Sequence, residues 1–171
     1  MPELGAPFQF VYDYGQLYLF DAAREWSPSE NAYIAALDAA TESGLSVGVH
    51  AQVVDVLMPR QENFGAVAEL TLTPESPGAR DDGDHVVEFD LSLPSGRLVL
   101  EGSGGAGSVE VAVAPGSYRA RLTGYGFDAA AAWSYADGGN PGDYYLLELW
   151  PTAEERPVLE LRRWPGYADR L

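Results

Sequence analysis

The chain contains 171 residues, of which 46% are hydrophobic and 21% charged, and this composition excludes a largely disordered protein. Its 26 acidic residues outnumber 10 basic ones, all of them arginine, and the net charge of −16 argues against direct binding to nucleic acid or to an anionic membrane surface. The absence of cysteine excludes disulfide bonds, a cysteine nucleophile and thiolate metal ligands.

The first predicted elements are β-strands. Apolar and polar residues alternate over residues 8–12, and the alternation resumes over residues 16–21, beyond Gly15. A period of two is typical of strands, and a glycine between two such runs favours a break. The pattern predicts two strands, or one strand interrupted at Gly15.

An α-helix is predicted over residues 28–43. Residues 27–30 have the Ser-Pro-Ser-Glu sequence of a capping box, with proline at the first helical position, and Gly44 occupies the place of a C-terminal cap. Helical spacing predicts that this helix buries one apolar stripe. The stripe consists of Tyr33, Ile34, Leu37 and Ala40.

The remainder of the chain is dominated by short alternating segments. Pro94–Gly96 and Pro115–Gly116 are turn sequences that predict two hairpins, each joining the segments on either side. Many short strands with frequent turns and one helix predict an antiparallel β-sandwich with one N-terminal α-helix. The predicted strand segments are residues 45–58, 64–73, 85–93, 98–100, 109–113, 118–122, 144–150 and 157–162.

No linker or repeat divides the sequence, so we predict a single domain over residues 1–171 that ends in an irregular C-terminal tail over residues 163–171. Three loops are predicted between the strands. They cover residues 74–84, 102–107 and 125–142. Long loops in compact domains are often functional, and the last of these carries Trp133 and Tyr135.

Residues 81–85, Asp-Asp-Gly-Asp-His, are the densest polar cluster in the sequence. Carboxylates spaced by glycine are suited to a divalent cation, but the segment lacks the ligand spacing of an EF-hand. We favour a solvated loop that enters a strand, and we predict no metal and no cofactor. A phosphate site at the glycine-rich residues 102–107 is also disfavoured, because that segment joins two strands and opens no helix.

The sequence offers no clear catalytic group. His50 and His85 are the only histidines, and Asp84 would point to the opposite face from its neighbour His85 if both lie on a strand. Nucleophile-elbow, zinc-protease and phosphate-loop motifs are all missing. A hydrolase built from scattered Ser, His and Asp residues remains an alternative to a non-enzymatic protein.

Charged residues on the polar faces of the later strands are predicted to pair with each other. Arg119 and Arg121 alternate with apolar neighbours, as do Glu88, Asp90 and Glu110 on preceding strands. Cross-strand pairs of opposite charge stabilise a sheet modestly. We favour such pairing over an arginine clamp for a substrate.

The acidic charge is concentrated in the first two thirds of the chain. Residues 1–110 contain 18 acidic and 4 basic residues, a net charge of −14, whereas residues 111–171 contain 8 acidic and 6 basic residues, a net charge of −2. The electric field of such an uneven negative charge accelerates association with a basic partner. The alternative explanation of the acidic charge is solubility, because a high net charge also keeps a protein in solution.

The opening segment resembles the competence protein ComJ family. The resemblance rests on residues 14–20, on the Trp-Ser-Pro-Ser-Glu segment at 26–30, on the alanine-rich helix that ends at Gly44, and on the Val-Val-Asp-Val strand at 53–56, with weaker patches as far as residue 122. Members of this family are small acidic bacterial proteins that inhibit a partner DNA-entry nuclease. The resemblance therefore implies an inhibitor or immunity protein.

Together, these observations predict a non-enzymatic acidic protein that occludes a basic protein partner, such as a nuclease or toxin. The second hypothesis is a β-sandwich module that binds a small ligand or peptide at a site lined by residues 125–142. The N-terminal residues lack the basic segment and apolar run of a secretory signal, so we expect a cytosolic location. The residues predicted to contact the partner are Asp81, Asp82, Asp84, Glu62, Glu75, Trp133 and Tyr135.

Overall fold

The computed structural model describes residues 1–25, 31–78 and 81–169, which form two packed β-sheets and one main helix. The strands are β1 (Phe8–Tyr12), β2 (Gln16–Asp21), β3 (Val47–His50), β4 (Val53–Leu57), β5 (Asn63–Leu72), β6 (His85–Leu93), β7 (Arg97–Gly102), β8 (Gly107–Ala112), β9 (Gly116–Tyr125), β10 (Tyr144–Pro151) and β11 (Leu159–Arg162). The helices are α1 (Ala32–Ser43) and the short α2 (Phe127–Ala132). None of the helices in these ranges is long and apolar enough to cross a membrane.

The predicted β-sandwich is confirmed. One sheet has six strands in the order β1-β5-β10-β9-β6-β11, and the other has five in the order β3-β4-β2-β7-β8. Neighbouring strands are antiparallel except for β5 and β10, which run parallel, so the six-stranded sheet is mixed. The inward faces of the two sheets form one hydrophobic core, which includes Leu19, Leu70, Phe89 and Leu147.

Both predicted hairpins are wrong, because the chain changes sheets at each of those turns. β6 belongs to the six-stranded sheet and β7 to the other, and β8 and β9 are separated in the same way. The turn after β6 is held by Asp21, whose Oδ2 accepts the Ser95 backbone N–H at 3.0 Å and the Ser95 hydroxyl at 2.8 Å. The hairpins that form are β7–β8, across residues 102–107, and β3–β4, which turns at Ala51 and Gln52 within the segment predicted as one strand.

The helix α1 begins later than residue 28. Asn31 is its N-cap, and the Asn31 side chain accepts the Ile34 backbone N–H at 3.3 Å. The Ser27 capping box lies outside the described residues. The predicted C-terminal cap is confirmed, because Gly44 adopts a left-handed conformation with φ of 66°.

The buried stripe of α1 differs from the prediction. Ala32, Ala36 and Ala40 are buried, whereas Ile34 is 55% exposed. The reason is the close approach of the helix to β3, where a Cβ on Gly48 would fall 1.8 Å from the Ala36 carbonyl oxygen. Only small side chains fit at that distance, so the larger Ile34 lies on the outer face.

We expect Asn31→Ala to lower the free energy of unfolding by about 1 kcal/mol, since the N-cap acceptor is lost. Asn31→Asp retains an acceptor and is expected to remain close to wild type. Chemical denaturation followed by circular dichroism measures both variants. Equal stability of Asn31→Ala and wild type would mean that the side chain does not hold this end of the helix.

Residues 125–142 are not a structureless loop. Gly126, with φ of 75°, turns the chain into α2, and the Asp84 Oδ2 accepts the Phe127 backbone N–H at 3.0 Å. The alanines that follow are strong helix formers. Further along the chain, Trp164 and Tyr167 are buried in the core, and Tyr167 belongs to a 3₁₀ turn at Pro165–Asp169.

Candidate functional site

One end of the six-stranded sheet brings several loops together. At this end β6 begins opposite the end of β9, β10 begins opposite Tyr125, and β5 begins opposite the end of β1. The segments that connect these strand ends therefore lie side by side. They are the β1–β2 turn at residues 13–15, the segment before β5, the acidic loop at residues 81–84, and residues 126–143 between β9 and β10.

Six of the seven predicted contact residues lie at this end. Glu62 immediately precedes β5 and Asp84 immediately precedes β6. These strands are three positions apart in the sheet, and β6 begins level with Ala68, five residues into β5. Glu62 and Asp84 are therefore separated by about 22 Å. Glu75 follows the far end of β5 and lies about 30 Å away, since each strand residue advances the chain by about 3.3 Å.

Glu62, Phe64, Trp133 and Tyr135 line a cavity of about 360 Å³ that we name the aromatic pocket. The Tyr135 hydroxyl donates to the Glu62 Oε1 at 2.5 Å, and the Trp133 and Tyr135 rings meet edge to face with centroids 5.1 Å apart. The hydrogen bond to Glu62 raises the pKa of Tyr135, so the hydroxyl stays protonated and acts as a donor. Tyr135 and Phe64 are 66% and 58% exposed, which is unusual for large aromatic side chains.

Tyr14 adds a third exposed ring beside the aromatic pocket. It adopts φ of 52°, a left-handed conformation that is costly for a residue other than glycine, and its side chain is 63% exposed. Its ring rests on Gly104, where an added Cβ would lie 2.7 Å from the Tyr14 ring. The turn is fixed to the segment before Glu62 by the Gly15 N–H, which donates to the Gln61 carbonyl at 2.6 Å.

A buried polar network forms the floor behind the aromatic pocket. Asp143 is 1% exposed, and its Oδ2 accepts the hydroxyls of Tyr12 at 2.9 Å and Tyr145 at 2.7 Å. Its Oδ1 accepts the Asn63 amide at 2.6 Å. Burial and the nearby carboxylate raise the pKa of both tyrosines, which keeps them as donors. This network is not recognisable in the sequence, because its members come from three distant segments.

The acidic loop presents the carboxylates of Asp81 and Asp82 to solvent, and the Asp82 Oδ1 accepts the Tyr125 hydroxyl at 3.4 Å. Arg162 fixes the loop through the backbone carbonyls of Asp81 and Gly83, both at 2.7 Å. Asp84 instead caps α2. Within the described ranges no three His, Cys, Asp or Glu side chains are grouped so that they could hold a metal ion.

His85 faces the core, away from Asp84, and contacts Ser46 and Glu160. The Trp164 backbone N–H donates to the His85 Nδ1 at 3.3 Å, so the proton of the neutral ring resides on Nε2 and is donated to the Ser46 Oγ at 2.7 Å. Burial, followed by the charge of Arg163, lowers the pKa of His85 to about 4. A general base for Ser46 would need its lone pair on Nε2. This histidine therefore has the tautomer of a structural residue.

The arginines of β9 pair across strands, as predicted for Glu88 and Asp90. Arg119 contacts Asp90 at 2.9 Å, and Arg121 contacts Glu88 at 2.7 Å. Both arginines are buried, and they also donate to backbone carbonyls of residues 77–78 and 156–157. Glu110 contacts Arg97 instead. The group holds two loops over the outer face of the sheet.

No protein-family model and no curated protein sequence matches the chain. Among solved structures, the fold is similar to that of ComJ from Bacillus subtilis, an inhibitor of the DNA-degrading activity of NucA, with a TM-score of 0.60 and 12% identity over 89% of this chain and 99% of that one. It is also similar to the product of crocagin biosynthetic gene J, with a TM-score of 0.56 and 21% identity over 85% of this chain and 96% of that one. At these identities the likeness concerns the fold, and the chain therefore has a ComJ-like β-sandwich.

Proposed function

We propose that this protein is a non-enzymatic inhibitor or immunity-type protein that occludes the active site of a basic partner such as a nuclease, and that it acts in the cytosol. The observation that carries the proposal is the end surface formed by the aromatic pocket, Tyr14 and the acidic loop. It combines exposed aromatic rings with the solvent-exposed carboxylates of the acidic loop.

The exposed rings supply the contact area of an interface. Tyrosine and tryptophan dominate binding hot spots because they bury a large area while losing little side-chain freedom. Tyr14, Phe64 and Tyr135 are each more than half exposed on the same end of the sandwich. Such rings stabilise a complex mainly by slowing its dissociation.

The carboxylates supply attraction at longer range. The chain carries a net charge of −16, and Glu62 lies beside the exposed rings. Asp81 and Asp82 add exposed charge at the same end of the six-stranded sheet. A nuclease active site is basic because it binds phosphate. An acidic surface of complementary shape occupies such a site without offering a bond to cleave, and its field accelerates the encounter.

The ComJ-like fold supports the same conclusion, since ComJ inhibits a DNA-degrading protein. A small-ligand or peptide-binding module is the second candidate, favoured by the 360 Å³ cavity at the aromatic pocket. The two candidates differ in what binds the end surface, a protein or a small molecule.

Affinity capture with variant baits tests the proposal. Wild type is compared with Asp81→Arg/Asp82→Arg/Tyr135→Ala, and with the control Glu154→Arg/Glu155→Arg, whose exposed carboxylates lie beyond the opposite end of β10. We expect wild type and the control to retain a DNA-degrading protein and to inhibit it, and the end-surface variant to lose both properties. Equal capture and inhibition by all three would contradict the proposed surface.

Association with the captured partner is expected to slow as salt rises. The Debye length falls from about 30 Å at 0.01 M to about 10 Å at 0.1 M, which screens the approach of exposed charges. Asp81→Arg/Asp82→Arg should slow association more than it accelerates dissociation, whereas Tyr135→Ala should act mainly on dissociation, by roughly tenfold or more. Stopped-flow or surface-based kinetics separate the two rates. Rates that respond neither to salt nor to the charge reversal would exclude electrostatic steering.

A further inference from the structure

The aromatic pocket has the chemistry of a site for a cation. Glu62 is the single charged side chain among the described residues that line it, and Phe64, Trp133 and Tyr135 supply three aromatic rings. A carboxylate next to aromatic rings attracts a cation in two ways, through its charge and through the negative face of the rings.

Trp133 already binds one cation of the chain itself. The Arg60 guanidinium carbon lies 4.6 Å from the centroid of the Trp133 ring. Arg60 also donates to the carbonyl oxygens of Ala130 at 3.0 Å and Trp133 at 3.2 Å, which fixes it beside the loop. Arg60 itself does not line the cavity.

The walls of the pocket are held in place before anything binds. The Asn140 amide donates to the Gly65 carbonyl at 2.5 Å, and the Asn140 Oδ1 accepts the Gly142 N–H at 2.8 Å. The Trp133 Nε1 donates to the Gly138 carbonyl at 3.1 Å, which fixes the ring. A preformed pocket loses little conformational freedom on binding.

We propose that the aromatic pocket receives an arginine side chain projecting from the basic partner, and this inference rests on the proposed function. The planar guanidinium stacks on an aromatic ring and donates to the Glu62 carboxylate through two N–H groups. Arginine fits better than lysine, whose compact ammonium is more strongly hydrated and lacks the flat face. The pocket thereby fixes the position of the partner, while the acidic loop accelerates its approach.

A peptide titration tests the pocket without the partner. The probes are the acetylated, amidated peptide Gly-Arg-Gly and its neutral analogue with citrulline, which has the same shape without the charge. Chemical shifts of the Trp133 indole N–H and of the Phe64 amide are followed by NMR in wild type, in Glu62→Gln and in the control Glu75→Gln. We expect saturable shifts with the arginine peptide, and binding roughly tenfold weaker for citrulline and for Glu62→Gln. Glu75→Gln should behave as wild type.

Either of two outcomes of the peptide titration would overturn the inference. One is the absence of a saturable shift at the pocket with the arginine peptide, and the other is equal binding of the citrulline peptide. The proposed function is judged separately by capture. If the arginine peptide binds but no DNA-degrading protein is retained, the proposed function fails alone. If the partner is retained with an affinity unchanged by Glu62→Gln, the pocket inference fails alone.

Discussion

Replacing Asp55 with asparagine is expected to stabilise the protein at pH 8 by of order 3–5 kcal/mol. Asp55 lies on β4 and is fully buried, with neither carboxylate oxygen in a hydrogen bond. Its cross-strand neighbours are Gly48, which has no side chain, and Tyr18, whose hydroxyl is directed to Gln16 and Ser103. Removal from water therefore raises the pKa of Asp55 from 3.8 to about 8.

The sign of the pH dependence follows from proton counting. Between pH 4 and pH 8 the folded protein holds a proton on Asp55 that the unfolded chain has released. Stability from this group is fully present below the unfolded pKa and is lost as the pH rises through the folded pKa, at about 1.4 kcal/mol per pH unit. Asparagine does not titrate in this range, so the substitution removes this dependence of the free energy of unfolding on pH. Tyr18 does not interfere, because burial raises its pKa above 10.

His85 makes the free energy of unfolding depend on pH in the opposite direction over part of this range. Its pKa falls from 6.5 to about 4, so the unfolded chain holds the extra proton between these values and stability rises with pH. In wild type the two slopes nearly cancel between pH 4 and 6.5, and stability then falls by about 2 kcal/mol towards pH 8. In Asp55→Asn we expect a rise of about 3 kcal/mol to pH 6.5 and a plateau beyond it.

Urea denaturation at half-unit pH intervals from 4 to 8.5 measures both curves. Asp38→Asn, at an exposed position of α1, is the control for removal of one carboxylate and should follow the wild-type curve. A wild-type stability that does not decline between pH 6.5 and 8 would show that Asp55 is ionised in the folded protein.

Alternation in the sequence predicts the strands well but not their partners. β6 spans the predicted residues 85–93, because the inward positions from Val87 to Leu93 are apolar and buried. The turn after it contains Pro94 and Gly96, and such a turn serves a hairpin or a change of sheet equally well. The choice depends on long-range contacts such as the Asp21–Ser95 hydrogen bonds, which no local pattern encodes.

Only the residues of the candidate site that lie in loops could be predicted from the sequence. Trp133 and Tyr135 are recognisable as aromatic residues in a long loop, and Asp81 and Asp82 as exposed acids. Phe64 looks like an inward strand residue, in phase with Ala66 and Leu70. It lies near the beginning of β5, however, and is 58% exposed. Tyr14 is not predictable either, since a tyrosine seldom adopts a positive φ.

Asp143→Ala is expected to lower the free energy of unfolding by about 3–6 kcal/mol and to abolish binding at the aromatic pocket. The substitution leaves three buried donors, the Tyr12 and Tyr145 hydroxyls and the Asn63 amide, without their acceptor. An unsatisfied buried donor costs about 1–3 kcal/mol. Asn63 also lines the aromatic pocket and donates to Asn140, another lining residue. Loss of the hydrogen bond from Asn63 to Asp143 therefore disturbs the pocket wall as well.

Removing the tyrosine donors along with the acceptor distinguishes this explanation from simple loss of volume. Asp143→Ala/Tyr12→Phe/Tyr145→Phe eliminates two of the three orphaned hydroxyl and amide donors while the rings stay in the core, so it should be more stable than Asp143→Ala alone. In the wild-type background, Tyr12→Phe/Tyr145→Phe should instead be destabilising, because the buried carboxylate then loses two of its three donors. Denaturation of the four proteins completes the thermodynamic cycle. Tyrosine-to-phenylalanine changes that destabilise both backgrounds equally would mean that Asp143 is not the acceptor on which the hydroxyls depend, and that the floor of the pocket is held by packing alone.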